Sequence, residues 1–384
     1  MKYIDGDQQK GILYDWKKIR REYKKLGIPA QYFYPLRADF SRCGYYQALS
    51  DRSRGKTTNT IILGILMYEM YGTITHYIRT DKDTIAPKNM KSLLDTIIQN
   101  GYIRKITKDR WCSAFYYGKR WYFCNVDDEG NIIEKSPTHF MVCFSLDDSD
   151  RIKSSYNAPT GDIILYDEFI SLRGYGYTDF IRFADMISTI FRKRQCGVIF
   201  MLSNTIDRNS PWFDEFCIRD IINIMDQGES RYIETDDGTC IFLEIMPVDD
   251  TPQRITVNRR FFGFLNPKLS AITGRGTWAT EHYPHIVRFD DEDDQPQILY
   301  NKLFIRQSGK LVKLQLVMNK IGLCVYVLPA TRTYSDSIIL VNGDIQEKNE
   351  VFGFGARDSF IQRFWRLYKA NRFYYATNAE GALV

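Results

Sequence analysis

Two short apolar segments constrain the fold of this chain more than any other feature of its sequence. Residues 162–166 (DIILY) and 197–202 (GVIFML) are mostly apolar, as expected for strands buried on both faces of a sheet. Helical patterns at residues 56–71 and 178–194 accompany them, and a further strand is predicted at residues 45–49. Alternation of apolar strands with helices predicts an α/β fold with a mostly parallel sheet.

The pattern changes after about residue 210, where strands and turns dominate. Strands are predicted at residues 239–245, 255–260, 302–306, 310–318, 323–328 and 337–341, followed by a helix at 358–371. The acidic stretch 289–297 (FDDEDDQPQ) is the predicted linker. We therefore expect three parts: a domain at 1–210 with a basic N-terminal helix at 11–26, a lid or linker region at 211–297, and a smaller basic α+β domain at 298–384.

Composition excludes several classes of protein. The length of 384 residues suits two domains, and the net charge of +5 does not by itself indicate a nucleic-acid partner. Eight cysteines include no C-x-x-C pair, which argues against a zinc site and favours a reducing cytoplasm. Apolar stretches are shorter than ten residues and the N-terminus shows no apolar signal region, so we expect no membrane segment.

The segment SDRSRGKTT (50–58) has the features of a phosphate-binding loop. Such a loop needs a strand before it, a helix N-terminus after it, a lysine for the phosphates and a hydroxyl for Mg²⁺. Lys56 and Thr57 supply the last two, and Gly55 allows close approach of the backbone. The usual pattern is G-x-x-x-x-G-K-[ST], and Ser50 replaces its first glycine. The predicted nucleotide-binding residues are Ser50, Arg52, Ser53, Arg54, Gly55, Lys56, Thr57 and Thr58.

Two acidic residues follow the apolar strand in GDIILYDE (161–168). In a phosphate-loop enzyme, Asp167 at the strand end binds Mg²⁺ together with Thr57. Glu168 then polarises the attacking water as a general base. An apolar strand that ends in two solvated acids is the alternative interpretation, and the loop upstream makes it less favoured.

A third motif, VIFMLSNT (198–205), ends in polar residues that could reach the γ-phosphate. Asn204 and Thr205 are predicted to couple hydrolysis to movement. The three motifs together predict an additional strand between the loop strand and the acid-bearing strand. A glutamate beside the Mg²⁺ aspartate is typical of P-loop NTPases of this additional-strand (ASCE) type.

On these residues the sequence resembles the terminase large subunits, or DNA-packaging ATPases, of tailed phages, and most of all their φ29-like branch. Beyond the loop, the resemblance rests on HYIRTD (76–81), LLDTIIQNG (93–101), FYYGKRWYFCN (115–125) and DRIKSSYNAPTGDIILYDEF (150–169). It covers about residues 28–205.

The resemblance implies an ATP- and Mg²⁺-dependent motor that moves double-stranded DNA into a preformed capsid. It also implies a homo-oligomeric ring, usually a pentamer, at the viral portal, in some cases with an RNA component. The protein would then act in the host cytoplasm and transiently at the procapsid portal vertex.

An arginine that completes a neighbour's ATP site is a further implication of the resemblance, and it points to Arg192 or Arg194. An arginine within the loop is typical of the family, so Arg54 is a second catalytic candidate. Phe33 and Tyr34 are candidates for stacking on adenine.

Terminases carry a C-terminal RNase H-like nuclease, which needs clustered acids to hold two metal ions. Here the acids Asp336, Asp344 and Asp358 fall in turns or at a helix start, which predicts a degenerate, non-cutting domain. From residue 298 onward there are 12 Lys and Arg against 6 Asp and Glu, a balance of +6. This charge suits phosphate contacts or docking on an acidic capsid or portal surface.

Three other functions stay open at this point. The chain could be a terminase with an active nuclease, or a helicase or other ring ATPase. It could also be a nucleotide-binding assembly protein without motor activity. That interpretation is favoured by Ser50, which replaces a glycine, and by Asp51, an acid within the anion-binding loop.

Overall fold

The computed structural model of the chain forms two compact units. The first comprises residues 1–206 and 224–279, and the second comprises residues 207–223 and 280–384. The described residues are 14–149, 156, 163–170, 175–176, 178–192, 197–205, 208, 210–236, 238–249, 251, 255–256, 260, 283–284, 286, 295–307, 309–320, 322–342, 345, 347–353, 358–381 and 383–384.

A sheet forms the centre of the first unit. Its strands among the described residues are β1 (Tyr45–Ser50), β2 (Thr75–Arg79), β3 (Ser113–Tyr117), β4 (Arg120–Val126), β5 (Ile132–Ser145), β6 (Ile163–Asp167), β7 (Val198–Asn204), β8 (Ser230–Glu234) and β9 (Cys240–Ile245). They lie in the order β3-β4-β5-β2-β6-β7-β1-β9-β8. The strands from β5 to β9 in this order run parallel, and β3, β4 and β8 are antiparallel to their neighbours. The predicted mostly parallel α/β sheet is confirmed.

Strand β7 lies between β1 and β6, which is the additional strand that the three motifs predict. Ser50 pairs with Asn204, and Asp167 pairs with Leu202. Because β1, β6 and β7 run in one direction, their carboxyl ends meet at the same edge of the sheet. These three strands are buried almost throughout, which explains their near-continuous apolar sequences.

Helix α2 is the most buried helix of the first unit. The helices described there are α1 (Trp16–Lys24), α2 (Lys56–Tyr71), α3 (Pro87–Met90), α4 (Asp95–Gln99), α5 (Tyr102–Thr107) and α6 (Asp179–Phe191). Helix α2 packs against α1, α4 and α5, and ten of its 16 residues are buried. It ends at Gly72, whose φ of 72° lets its N–H donate to the Tyr68 carbonyl at 2.8 Å.

Helix α1 is shorter than the predicted helix at 11–26. It begins at Trp16 because the Asp15 carboxylate caps it, accepting a hydrogen bond from the Lys18 N–H at 2.9 Å. Residues 11–13 lie outside the described residues. The Tyr23 hydroxyl donates to the Asn59 carbonyl at 3.1 Å and so ties α1 to α2.

The second unit has its own sheet and core. Its described strands are β10 (Gln297–Gln307), β11 (Lys310–Asn319), β12 (Gly322–Ala330), β13 (Ile338–Val341), β14 (Glu350–Phe352) and β15 (Phe373–Tyr375), in the order β14-β13-β10-β11-β12-β15. Strands β10, β11 and β12 form an antiparallel meander, while β13, β14 and β15 add in parallel to their neighbours. The remaining described helices are α7 (Pro211–Glu215), α8 (Arg219–Ile224), α9 (Ser359–Lys369) and α10 (Asn378–Gly381). Phe364 of α9 packs into a core with Leu303, Leu314 and Val325.

The structure differs from the predicted lid or linker at 211–297. Strands β8 and β9 belong to the large sheet, where β9 pairs with β1, and residues 207–223 belong to the second unit. Residues 241–245 are buried there, so apolar burial against β1 outweighs the local turn signals. Residues 289–294 of the predicted acidic linker lie outside the described residues, and Gln297 begins β10.

The predicted strand at 255–260 is a second difference. Ile255, Thr256 and Arg260 are helical, and the Ile255 N–H donates to the Thr251 carbonyl at 2.9 Å. β-Branched residues favour strands only weakly outside a sheet, so local context decides. None of the helices in the described ranges has the length and apolarity needed to cross a membrane.

Candidate functional site

The loop between β1 and α2 turns its backbone through two left-handed residues. Ser53 has a φ of 67° and Gly55 a φ of 71°. The first is unusual for a residue with a side chain, and such strain is found most often at functional sites. Gly55 is the N-cap of α2 and lacks a side-chain cap, so the first N–H groups of the helix point toward a prospective anion.

Lys56 is held at the mouth of this loop. Its Nζ donates to Ser50 Oγ at 2.5 Å, to the Asp51 carbonyl at 3.2 Å and to Asn204 Oδ1 at 3.3 Å. Burial lowers the pKa of Lys56 to about 8, although the carboxylates of Asp167 and Asp51 oppose the shift. The ammonium is therefore desolvated in advance and carries only hydrogen bonds that an anion can replace.

Thr57 and Asp167 meet across the sheet edge. Thr57 Oγ1 donates to Asp167 Oδ1 at 2.9 Å, although the two residues lie 110 positions apart in sequence. A hydroxyl and a carboxylate within hydrogen-bonding distance form the oxygen donor set that Mg²⁺ prefers beside phosphates. The residues present thus fit the predicted metal ion, and Thr57 and Asp167 are the residues that would hold it.

Two residues of β2 that the predicted site omits complete the acidic cluster. Tyr77 Oη donates to Asp167 Oδ2 at 2.9 Å, and Arg79 contacts both Asp167 at 3.3 Å and Glu168 at 2.5 Å. Burial, and then the charge of Asp167, raises the pKa of Tyr77 well above its usual value, so the phenol stays protonated. Arg79 is the last residue of β2, within HYIRTD. It reaches Asp167 and Glu168 because β2 pairs with β6, and sequence patterns alone do not reveal that pairing.

Glu168 stands at the rim of this cluster. Its φ of 54° places it in the left-handed region, and 51% of its side chain is exposed. The strand therefore ends abruptly after Asp167, and the half-exposed Glu168 carboxylate is held by Arg79. A carboxylate in that position can approach a water molecule outside the metal site.

These residues surround a cavity of about 380 Å³ at the carboxyl edge of the sheet. The lining residues are Arg52, Ser53, Arg54, Gly55, Lys56, Thr57, Thr58, Asp167, Glu168, Ser203 and Asn204. The volume is within the range of ligand sites in proteins, about 300 to 1,000 Å³. The structure thus brings the predicted loop and the two predicted acids together around one space.

Comparison with solved structures finds similar folds over most of the chain. The Phi-28 gp11 DNA packaging motor aligns with a TM-score of 0.52 and 17% identity, over 89% of this chain and 92% of that one. The bacteriophage Phi-29 viral genome packaging motor assembly aligns with a TM-score of 0.52 and 15% identity, over 91% of this chain and 96% of that chain. The chain shares its fold with phage DNA-packaging motors. By sequence, it matches no protein-family profile and no curated protein.

The packaging-motor fold confirms the resemblance predicted from the motifs. It also extends beyond residues 28–205, since the alignments cover about nine-tenths of the chain. At these identities the likeness concerns the fold, and the roles of individual residues follow from their geometry here.

Arg54 lines the cavity, and its guanidinium also lies close to two acids, Asp51 and Asp249. Its side chain is 7% exposed, with Nε 3.7 Å from Asp51 Oδ1 and Nη1 3.6 Å from Asp249 Oδ2. Its carbonyl accepts a hydrogen bond from the Phe33 N–H at 2.9 Å. Arg52, by contrast, is exposed at the cavity.

Arg192 is not one of the residues that line the cavity. It directly follows α6, whereas β7 starts at Val198 and reaches the cavity at Ser203 and Asn204. Its exposed side chain donates to the carbonyls of Thr189 at 3.2 Å and Tyr156 at 2.8 Å. Arg194 lies outside the described residues.

Asn204 and Thr205, which are predicted to couple hydrolysis to movement, have different surroundings. Asn204 accepts from Lys56 and lines the cavity. Thr205 is buried, and its N–H donates to the Ser50 carbonyl at 3.0 Å. Asn204 can therefore contact a ligand, while Thr205 fixes the end of β7 against β1.

The aromatic residue beside the loop is Tyr32 rather than Phe33 or Tyr34. Phe33 is fully buried against Tyr46, and Tyr34 packs edge-on against Tyr23. Tyr32 is 41% exposed, and its ring lies 3.4 Å from the place a Cβ on Gly55 would occupy. Phe33 and Tyr34 belong instead to the apolar core, where their rings pack against β1 and α1 respectively.

Proposed function

We propose that this chain is an ATP-hydrolysing motor subunit that translocates double-stranded DNA into a preformed viral capsid. The observation that carries the proposal is the convergence of Lys56, Thr57, Asp167 and Glu168 at one cavity. The fold shared with phage packaging motors supports it.

Each residue has a distinct task in this proposal. Lys56 exchanges its hydrogen bonds to Ser50 and Asn204 for the β- and γ-phosphates. Thr57 and Asp167 would hold Mg²⁺, which would neutralise charge on the phosphates when bound. Glu168 orients and polarises the attacking water. Asn204, which contacts Lys56, would sense the γ-phosphate and couple its loss to movement.

Steady-state ATP hydrolysis by the purified protein, with and without double-stranded DNA, tests the proposal. Lys56→Ala and Glu168→Gln should each lower kcat by about 10²-fold or more, because they remove phosphate binding and the general base respectively. Lys17→Ala, an exposed residue of α1, is the matched surface control and should leave hydrolysis unchanged. Absence of hydrolysis by the wild type under all conditions would instead favour an assembly protein that only binds nucleotide.

A trans arginine is part of the proposal because Arg192 does not line the cavity of its own chain. In a homo-oligomeric ring, which we propose to be a pentamer, Arg192 or Arg194 of one subunit would complete the site of its neighbour. Mixing inactive Lys56→Ala with inactive Arg192→Ala/Arg194→Ala subunits should restore part of the hydrolysis. Each mixed interface can then pair an intact loop with an intact arginine, whereas cis action would leave the mixture inactive.

The partners proposed are double-stranded DNA, the viral portal or capsid, and in some systems an RNA component. The place of action would be the host cytoplasm and the procapsid portal vertex. DNA packaging by purified procapsids, assayed as DNA protected from nuclease, tests these partners together. Treatment of the procapsids with ribonuclease beforehand distinguishes a requirement for RNA.

The second unit is proposed to be a degenerate RNase H-like domain without nuclease activity. Of the acids considered for a nuclease site, Asp336 pairs with Lys302, and Asp358 caps α9 by accepting from the Phe360 N–H at 2.7 Å. Asp344 lies outside the described residues. Incubation of plasmid DNA with the protein and Mn²⁺ should yield no nicking. Nicking abolished by Asp344→Ala or Asp358→Ala would support a terminase with an active nuclease instead.

A further inference from the structure

Asp51 places a carboxylate in a loop that is expected to bind an anion. Its side chain is 1% exposed, and buried charges are tolerated only when they are paired or solvated by hydrogen bonds. Asp51 does not line the cavity, whereas its neighbours from Arg52 to Thr58 do. The carboxylate is thus turned away from the space where phosphates would lie.

Arg54 forms an ion pair with this buried carboxylate. Its Nε lies 3.7 Å from Asp51 Oδ1, three positions earlier in the same loop. A second acid, Asp249, which follows β9, lies 3.6 Å from Arg54 Nη1 and is 20% exposed. The guanidinium is enclosed by two acids and is 7% exposed.

We propose that Arg54 is a positioning residue: the internal counter-ion that allows this loop to carry Asp51, and not a ligand of the phosphates. The inference rests on the proposed function, since it assigns a role within the same ATP site. The Asp51–Arg54 pair would stabilise the loop in place of the glycine-rich backbone of the usual pattern. Asp249 anchors the guanidinium from the segment that follows β9.

The effect on ATP would pass through Lys56. Lys56 Nζ lies 3.2 Å from the Asp51 carbonyl, so Asp51 and Lys56 are in direct contact. Without Arg54, Asp51 would attract Lys56 away from the phosphates and repel the phosphates themselves. Both changes weaken ATP binding without touching Asp167 or Glu168.

A double-mutant cycle tests this role. Arg54→Met should raise the KM for ATP at least tenfold with a smaller change in kcat, and should lower the melting temperature. Asp51→Asn/Arg54→Met removes both buried charges with little change in shape, so KM should return to within threefold of the wild type and the melting temperature should recover. Arg54→Lys, which keeps the charge, should resemble the wild type. Asp249 should tolerate the loss of the Arg54 charge, because its side chain is 20% exposed and water can solvate it.

The exposed pair Arg182–Asp147, 3.3 Å apart, is the matched control. Arg182→Met and Asp147→Asn/Arg182→Met should both leave KM and the melting temperature unchanged, because exposed pairs contribute little. If the Asp51→Asn/Arg54→Met protein stays as impaired in KM as Arg54→Met, Arg54 contacts the phosphates and the proposal is overturned.

The melting temperatures separate this inference from the proposed function. They report the Asp51–Arg54 coupling even in a protein that hydrolyses no ATP. Absence of coupling in melting temperature refutes the counter-ion role whatever the enzyme does. Recovery of melting temperature without recovery of ATP affinity would show a structural pair only, and would also overturn the positioning role.

Discussion

Arg79 Nη2 lies 2.5 Å from Glu168 Oε2, although the two residues are separated by 89 positions in sequence. The same guanidinium lies 3.3 Å from Asp167 Oδ2. The Arg79 cation therefore pairs with two adjacent acids: Asp167, which we propose to bind the metal ion, and Glu168, which we propose to activate water. The pair is partly exposed at Glu168, so it can break and form without opening the core.

Substitution of Arg79 is the first test of this balance. Arg79→Gln should lower kcat for ATP hydrolysis by about tenfold with little change in KM, because removal of one charged partner costs about 1.5 to 3 kcal/mol in such pairs. The measurement is steady-state hydrolysis over a range of ATP concentrations. Arg110→Gln breaks an exposed pair with Glu69 and serves as the control. A rise in kcat would instead show that Arg79 restrains Glu168.

Lys56 should make ATP binding depend on pH. Burial lowers its pKa to about 8, so its ammonium is present below that pH and is lost above it. ATP affinity should therefore fall as the pH rises through 8, by up to about tenfold per unit. Equilibrium titration with a fluorescent ATP analogue between pH 7 and about 9 measures this slope. Lys56→Met should bind weakly at every pH, and an equal slope in that variant would assign the effect to another group.

Tyr32 should contribute to adenine binding because its ring is exposed beside Gly55. Tyr32→Ala should raise the KM for ATP at least about fivefold, since stacking on a base contributes about 1 to 3 kcal/mol. Tyr32→Trp should keep the affinity. Phe33→Ala, at the buried neighbour, should lower the melting temperature instead, and an equal KM effect there would argue against a specific contact by Tyr32.

Glu244 should stabilise the attachment of β9 to β1. It is buried, accepts from Tyr46 Oη, and lies 2.5 Å from Arg37 Nη1. Glu244→Ala leaves Tyr46 without this acceptor and should lower the free energy of unfolding by about 3 kcal/mol. Glu244→Gln keeps an acceptor and should cost about 1 kcal/mol. Urea denaturation measures the free energy of unfolding of both variants. Glu234→Ala, at an exposed residue of β8, is the control. An equal loss of stability in both Glu244 variants would contradict the hydrogen-bonding account.

The positions of Lys56, Thr57, Asp167 and Asn204 at one edge could be predicted from the sequence. Each motif follows a short apolar strand, and the carboxyl ends of parallel strands must share an edge. The additional strand β7 could be predicted for the same reason. The contribution of Arg79 could not, because it depends on β2 pairing with β6.

Local patterns by themselves determined the apolar strands, the loop that carries Gly55 and Lys56, and the acids at the end of β6. The spacing of apolar residues and the residue preferences of turns act over a few residues, so they can be recognised in the sequence. Only the tertiary structure decided that β9 joins β1, that Arg79 meets Glu168 and that Arg54 is enclosed by Asp51 and Asp249. Those contacts join distant segments, and which of them form depends on the burial and charge balance of the whole fold.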